Sequence, residues 1–145
     1  MNEADKPARA GPATRTAPGT QNARRVLVVD DNQDAADSLA MLLGTRGDEV
    51  RIAYDGTQAL EVERDFEPDV VLLDIGLPAL SGYDVANRIR EKRGDDVLIV
   101  AVTGWGEEKD VRRAEEAGID QHFTKPLDFE ALVALIERAA PRRAH

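Results

Sequence analysis

Two unbroken apolar runs, each ending on acid, constrain this chain more than any other feature. Val26-Leu27-Val28-Val29 leads into Asp30 and Asp31, and Val70-Val71-Leu72-Leu73 leads into Asp74. A run of that length without alternation reads as a strand buried on both faces, the mark of a parallel sheet covered by helices. In an open sheet of that kind the carboxyl ends of the strands line the crevice where ligands sit. Three carboxylates then meet at one mouth, where they repel one another and raise each other's pKa values. Such a cluster calls for a divalent cation.

Strand and helix signals alternate around these runs. Val26 to Asp30 precedes a helix over 34–46, whose Ala35, Ala36, Leu39, Leu42 and Leu43 recur at helical spacing before Gly47. Glu49 to Tyr54 alternates charge with apolarity, as a strand nearer the sheet edge should. A helix over 57–66 offers Ala59, Val62 and Phe66; after Asp69 to Asp74, a helix over 82–92 offers Val85, Ala86 and Ile89. Val97 to Val102 leads to a helix over 107–117 with Val111 and Ala114. A short strand at 121–124 precedes a helix over 128–139 carrying Leu132, Val133, Leu135 and Ile136. Asp55-Gly56 has the composition of a hairpin turn, but the helical pattern from Thr57 makes it a strand-to-helix loop.

Five strands alternating with five helices imply right-handed crossovers and helices on both faces. The unbroken apolar strands, the first, third and fourth, belong in the middle, giving the flavodoxin-like (βα)5 order 2-1-3-4-5. Its switch point falls between the first and third strands, so Asp30, Asp31 and Asp74 share one crevice.

Length and composition narrow the class. At 145 residues and 42% apolar content the chain suits one domain with a sizeable core. Residues 1–22, rich in Pro, Ala, Gly and Thr, read as a flexible leader, and 141–145 as a frayed end after the domain at 23–140. Of the formal charge of −9, the first 23 residues contribute +1 and the last seven +2, so the body between them carries −12. So acidic a body is unsuited to direct contact with nucleic acid. The absence of cysteine excludes thiolate chemistry and a disulfide framework. No apolar stretch approaches a membrane span and the N-terminus lacks a signal-peptide core, so the expected location is cytoplasmic, away from membranes.

Four motifs, in order and each at an expected strand end, complete the reading: Val-Val-Asp-Asp at 28–31, Leu-Leu-Asp-Ile-Gly-Leu-Pro at 72–78 with Gly82 beyond, Val-Thr-Gly at 102–104, and Thr-Lys-Pro-Leu at 124–127. Over roughly 24–140 the chain resembles the receiver domain of two-component response regulators. The resemblance implies that Asp74 is the phosphoacceptor, a carboxylate nucleophile that becomes an acyl phosphate. It implies that Asp30 and Asp31 hold Mg²⁺ with Asp74 and the backbone carbonyl of Gly76, an oxygen set that suits this ion. Lys125 is then the partner of the phosphoryl oxygens, joined to Pro126 by a cis peptide, and Thr103 is the switch hydroxyl.

Two positions depart from that pattern or extend it. The aromatic reporter three residues before the lysine is replaced by His122, with Phe123 pointing to the other face. An imidazole there either moves inward toward Thr103 or caps the sheet surface. Trp105, between Gly104 and Gly106, sits after the fourth strand, where it would contact a partner or govern water access.

The resemblance points to a stand-alone signalling module. It is phosphorylated by a sensor histidine kinase or a histidine phosphotransfer protein and acts on a downstream target protein. The Ala35, Ala36 and Leu39 flank with the Pro126-Leu127 loop would meet the kinase. The alternative is an aspartate-nucleophile phosphohydrolase acting on small molecules, but those enzymes place Asp-x-Asp on the first strand, whereas residues 30–34 read Asp-Asp-Asn-Gln-Asp. A flavin carrier of similar fold would need a Ser/Thr- and Gly-rich phosphate loop after the first strand, which this sequence lacks.

Overall fold

The computed structural model describes residues 24–104 and 111–138. The leader at 1–22, the tail at 141–145, Trp105 and the first residues of the expected 107–117 helix lie outside them. Within them, β1 (Arg25–Val29), α1 (Gln33–Thr45), β2 (Glu49–Ala53), α2 (Gly56–Phe66), β3 (Val70–Asp74), α3 (Gly82–Arg93), β4 (Leu98–Thr103), α4 (Val111–Glu116), β5 (Gln121–Thr124) and α5 (Phe129–Arg138) follow in order. All strand pairs are parallel. The sheet order is β2-β1-β3-β4-β5, the flavodoxin-like arrangement expected from the apolar runs.

Alternation along each strand divides the core in two. Leu27, Val29, Val71, Leu73 and Ile99 face α2, α3 and α4, where Ala59, Val85, Ile89 and Ala114 cover them. Val26, Val28, Val70, Leu72 and Val100 face α1 and α5, under Ala36, Leu43, Leu132 and Ile136. Every residue of β3 and β4 is buried, which is why these strands read as continuous apolar runs. Fully burying a side chain such as Leu73 or Ile136 contributes about 1.5–3 kcal/mol.

Helix starts are set by short polar side chains that accept otherwise orphaned backbone N–H groups. Asn32 accepts from Ala35 at 3.1 Å, Asp55 from Gln58 at 2.7 Å, Ser81 from Asp84 at 3.3 Å, and Asp128 from Ala131 at 3.2 Å. The helix of Asp55-Gly56 thus starts one residue earlier than its apolar spacing suggested.

One core expectation fails. Leu42 is 48% exposed, although the spacing placed it with Leu39 and Leu43. The buried residues of α1 are Ala36 and Leu43, seven apart and so on one side of the helix. Leu42 falls off that line and borders an open groove instead.

Candidate functional site

The same alternation that divides the core decides which side chains meet at the carboxyl end of the sheet. Val26 pairs with Val70 and Val28 with Leu72, so two residues further on Asp30 and Asp74 arrive side by side. They extend the even-numbered series that faces α1 and α5. Asp31 follows on the loop and is exposed, whereas Asp30 and Asp74 are each 8% exposed. One carboxylate oxygen from each of the three lies within 4.8 Å of the others. The cap of α1 is Asn32 and that of α3 is Ser81, so none of these acids is spent on a helix end.

Each buried acid is aimed by its neighbours. Asp30 Oδ1 accepts the backbone N–H of Asn32 at 2.9 Å, and its Oδ2 lies 3.1 Å from Lys125 Nζ. Asp74 Oδ1 accepts the N–H of Gly76 at 2.9 Å, leaving Oδ2 3.9 Å from the same ammonium. Lys125 comes from the end of β5, and its peptide bond to Pro126 is cis. One lysine therefore serves two buried carboxylates, closer to Asp30 than to Asp74.

The electrostatic result is visible at Asp74, whose carboxyl is pushed from its ordinary value of 3.8 up to about 6. Burial is the main cause, and the charge of Asp30 adds to it; the Gly76 N–H and Lys125 pull the other way. A hard cation accepting oxygen ligands would relieve that strain, and Asp30, Asp31 and Asp74 are the residues able to hold one. They line a cavity of about 600 Å³ with Asn32, Gly76, Gly104 and Lys125.

Close packing below the cavity sets the height of Asp74. A Cβ added at Gly82 would lie 2.7 Å from the carbonyl oxygen of Asp74 and from Ile75 Cα, so only glycine lets α3 begin this close to β3. Ile75 is tied to β4 through its N–H to the Val102 carbonyl at 3.1 Å.

Thr103 and His122 stand apart from the cavity. Thr103 belongs to the odd series of β4 with Ile99 and Ala101, the last of which pairs with His122. Thr103 is 1% exposed, and its hydroxyl donates to the Phe123 carbonyl at 3.5 Å. His122 is half-buried, while Phe123 packs on the opposite side with α1 and α5.

Beside the acids runs an apolar groove of about 300 Å³ between α1 and the loop after β5. Leu39, Leu42, Pro126, Leu127 and Phe129 line it, and its inner end reaches Asp30, Asp74 and Lys125. The sequence signalled this flank through Ala35, Leu39, Pro126 and Leu127, but Ala36, expected with them, is 1% exposed and packs in the core instead, and the exposure of Met41 and Leu42 at 70% and 48% carried no signal.

A doubly wound parallel sheet with acids after its first and third strands and a lysine after its fifth defines an α/β module built for charge handling at a switch point. The response regulator receiver domain model matches residues 26–137, and the chain belongs to that family. It is 40% identical over 120 residues to the DNA-binding response regulator MtrA of Mycolicibacterium paratuberculosis (strain ATCC BAA-968 / K-10), covering 83% of this chain and 52% of that protein. MtrA of Mycobacterium tuberculosis (strain ATCC 25618 / H37Rv) shows the same identity with 51% of its length covered. The chain thus spans about half the length of the curated relatives it matches. Among solved structures, a CheY-like receiver domain protein from Methanospirillum hungatei JF-1 superposes with a TM-score of 0.74 at 27% identity, covering 80% of this chain and 92% of that one. A response regulator from Chloroflexus aurantiacus J-10-fl gives 0.73 at 29% identity, covering 81% and 97%. Among the described residues, no helix is long and apolar enough to cross a membrane.

Proposed function

We propose that this domain accepts a phosphoryl group from a phosphohistidine donor onto Asp74, with Mg²⁺, and signals through protein contacts. The observation that carries the reading is the meeting of Asp30, Asp31 and Asp74 around one cavity with Lys125 at its edge. Asp30, Asp31, Asp74 and the Gly76 carbonyl would hold the ion. These are oxygen donors only, which fits Mg²⁺. When bound, the ion supplies a Lewis acid for the phosphoryl oxygens and neutralises the acid cluster.

The chain's own residues do the rest. Asp74 Oδ2 is the oxygen left open by the Gly76 hydrogen bond, and it attacks phosphorus as the donor's P–N bond breaks and the imidazole leaves. The product is an acyl phosphate on Asp74. Lys125 follows the added charge, exchanging its contact with Asp30 for one with phosphoryl oxygens, so catalysis is positioning and electrostatics. Water entering opposite the aspartyl oxygen reverses the modification. The domain catalyses only these two reactions on itself.

The apolar groove between α1 and the Pro126-Leu127 loop opens on the acids, which suits it to hold the helix that carries the donor histidine of a sensor kinase or phosphotransfer protein. Thr103, buried behind the site, is placed to respond to a phosphoryl group and to pass that response toward the α4 and β5 side. With a body charge of −12, output runs through protein contacts, to a target chain or a joined domain, and not through direct contact of this domain with nucleic acid. The surroundings of such a module are cytoplasmic.

Intact-mass measurement after incubation with acetyl phosphate tests the reading. A gain of one phosphoryl that needs Mg²⁺ and vanishes in Asp74→Asn supports it. Turnover of a generic phosphomonoester, with no mass gain even under beryllofluoride trapping, would favour the phosphohydrolase alternative.

A further inference from the structure

The loop that follows Asp74 is held from below by Gly82, and it has a second support on a different helix. Gly56 opens α2, and it is buried. A Cβ built there would lie 2.9 Å from Leu80 Cβ, 2.9 Å from the Leu80 carbonyl oxygen and 3.0 Å from Val85 Cγ2. One of those neighbours is backbone, so the crowding cannot be relieved by a side-chain rotation. The φ of Gly56 is outside the left-handed region, so its backbone conformation does not itself require glycine. Only the closeness of Leu80 does.

Leu80 is the sixth residue of the loop from Ile75 to Ser81. Its segment includes Ala79 at φ 62°, a conformation that residues with a Cβ seldom adopt, and Leu77, which is buried in the core shared with α2. At the other end of the same loop, the Gly76 N–H holds Asp74 Oδ1 at 2.9 Å. A seven-residue segment fixed at both ends, with a strained residue and a buried anchor inside, transmits a displacement at Leu80 back to Gly76. Helix α2 therefore buttresses the loop that carries Gly76 without itself lining the cavity.

We infer that Gly56 is a positioning residue: by letting the first turn of α2 seat directly on the Leu80 backbone, it holds the Gly76 peptide at the distance that aims Asp74 and presents its carbonyl to the cation. The inference rests on the proposed function, because it assigns a further residue to the same site. It reaches outside the four motifs to a residue that the sequence pattern places only in a strand-to-helix loop.

The test is a Mg²⁺ titration of thermal stability for the wild type, Gly56→Ala and Gly44→Ala, with the rate of phosphorylation by acetyl phosphate measured alongside. Alanine is the stronger helix former, so α2 itself is not weakened by the change. Gly56→Ala should raise the Mg²⁺ concentration for half the shift, and lower the phosphorylation rate, by about tenfold, the usual cost of disturbing a ligand's support. Gly44→Ala, with nothing within 4 Å of its added Cβ, should leave both unchanged. If Gly56→Ala does not fold in buffer, the titration is made with trimethylamine N-oxide added to refold it. A folded Gly56→Ala that matches the wild type within twofold in both readings overturns the inference. A wild type that neither responds to Mg²⁺ nor accepts a phosphoryl group fails the functional reading itself, and the role of Gly56 falls with it.

Discussion

The two ends of the sheet both bury carboxylates, and they treat them in opposite ways. At the amino ends of the strands, acids are matched with donors. Asp69, fully buried, accepts the Arg25 N–H at 2.9 Å, and Asp120 accepts from Arg90 at 2.7 Å and from the Ile99 N–H at 2.8 Å. Glu63, 1% exposed, meets Arg93 at 2.6 Å and Lys92 at 3.0 Å, and Asp48 pairs with Arg46. At the carboxyl ends, Asp30 and Asp74 share one lysine with Asp31 beside them, and Asp74 is left with a raised pKa. At the lower end each of these acids has a partner, although burial still raises the Asp48 carboxyl above its ordinary value against the pull of Arg46. The upper end leaves Asp74 at about 6 and, on the proposed reading, is unfinished without a cation.

Breaking the lower end should cost most. Glu63→Ala takes the carboxylate from Arg93, leaving it the Pro68 and Asp96 carbonyls, and removing one partner of a buried pair costs about 3–5 kcal/mol. Urea unfolding should show that loss with and without Mg²⁺ alike, because no cation site is involved. Equal loss for an exposed acid such as Glu61→Ala would refute the contrast.

The upper end should respond with the opposite sign. The folded Asp74 carboxyl, at about 6, holds its proton more tightly than its ordinary value of 3.8 would allow. Its contribution to stability is therefore present below 3.8 and lost as pH rises through 6. Asp74→Asn removes that loss, so at pH 7.5 without divalent ions the variant should be more stable than the wild type by about 1–3 kcal/mol. The advantage should shrink as pH falls toward 4, and a variant less stable at every pH would contradict the unfinished-site picture.

Adding Mg²⁺ should repair the upper end of the wild type, raising its stability by about 1–3 kcal/mol at concentrations well above Kd, reversed by EDTA. Asp31→Asn should lose most of that response while keeping the fold, since Asp31 is exposed. The smallest effect belongs to the groove. Leu42→Ser should change stability by no more than about 0.5 kcal/mol, leave acetyl phosphate labelling intact, and slow transfer from a phosphohistidine protein. Equal slowing with both donors would remove the groove from the account.

The sequence showed one end of the molecule better than the other, for a physical reason. The apolar runs of β1, β3 and β4 are unbroken, which marks them as the central strands, and side chains alternate along a strand, so the strand order and the pairing of Asp30 with Asp74 follow from counting. Thr103 ends β4 as its place after the apolar run suggests, whereas His122 is the second residue of β5, and its position next to Ala101 depends on the β4–β5 register. Glu63 was missed because polarity hid it: it lies four residues after Ala59 and three before Phe66, on the buried line of α2, but a charge there reads as a solvated face. Its partners Lys92 and Arg93 sit on another helix, a pairing that no local pattern carries. Leu42 erred the other way, an apolar residue one step off the buried line of α1 that borders a groove. Gly56 reads only as part of a strand-to-helix loop, since steric contact with Leu80 has no signature in sequence.

The central claim is that Asp74 carries the phosphoryl group, and reduction of the acyl phosphate with borohydride addresses it directly. Treatment after acetyl phosphate and Mg²⁺ converts a phosphorylated aspartate to homoserine, which peptide mapping locates. The account predicts homoserine at position 74 alone, and none when Mg²⁺ is withheld. Homoserine at Asp30 or Asp31, or labelling that ignores Mg²⁺, would contradict it.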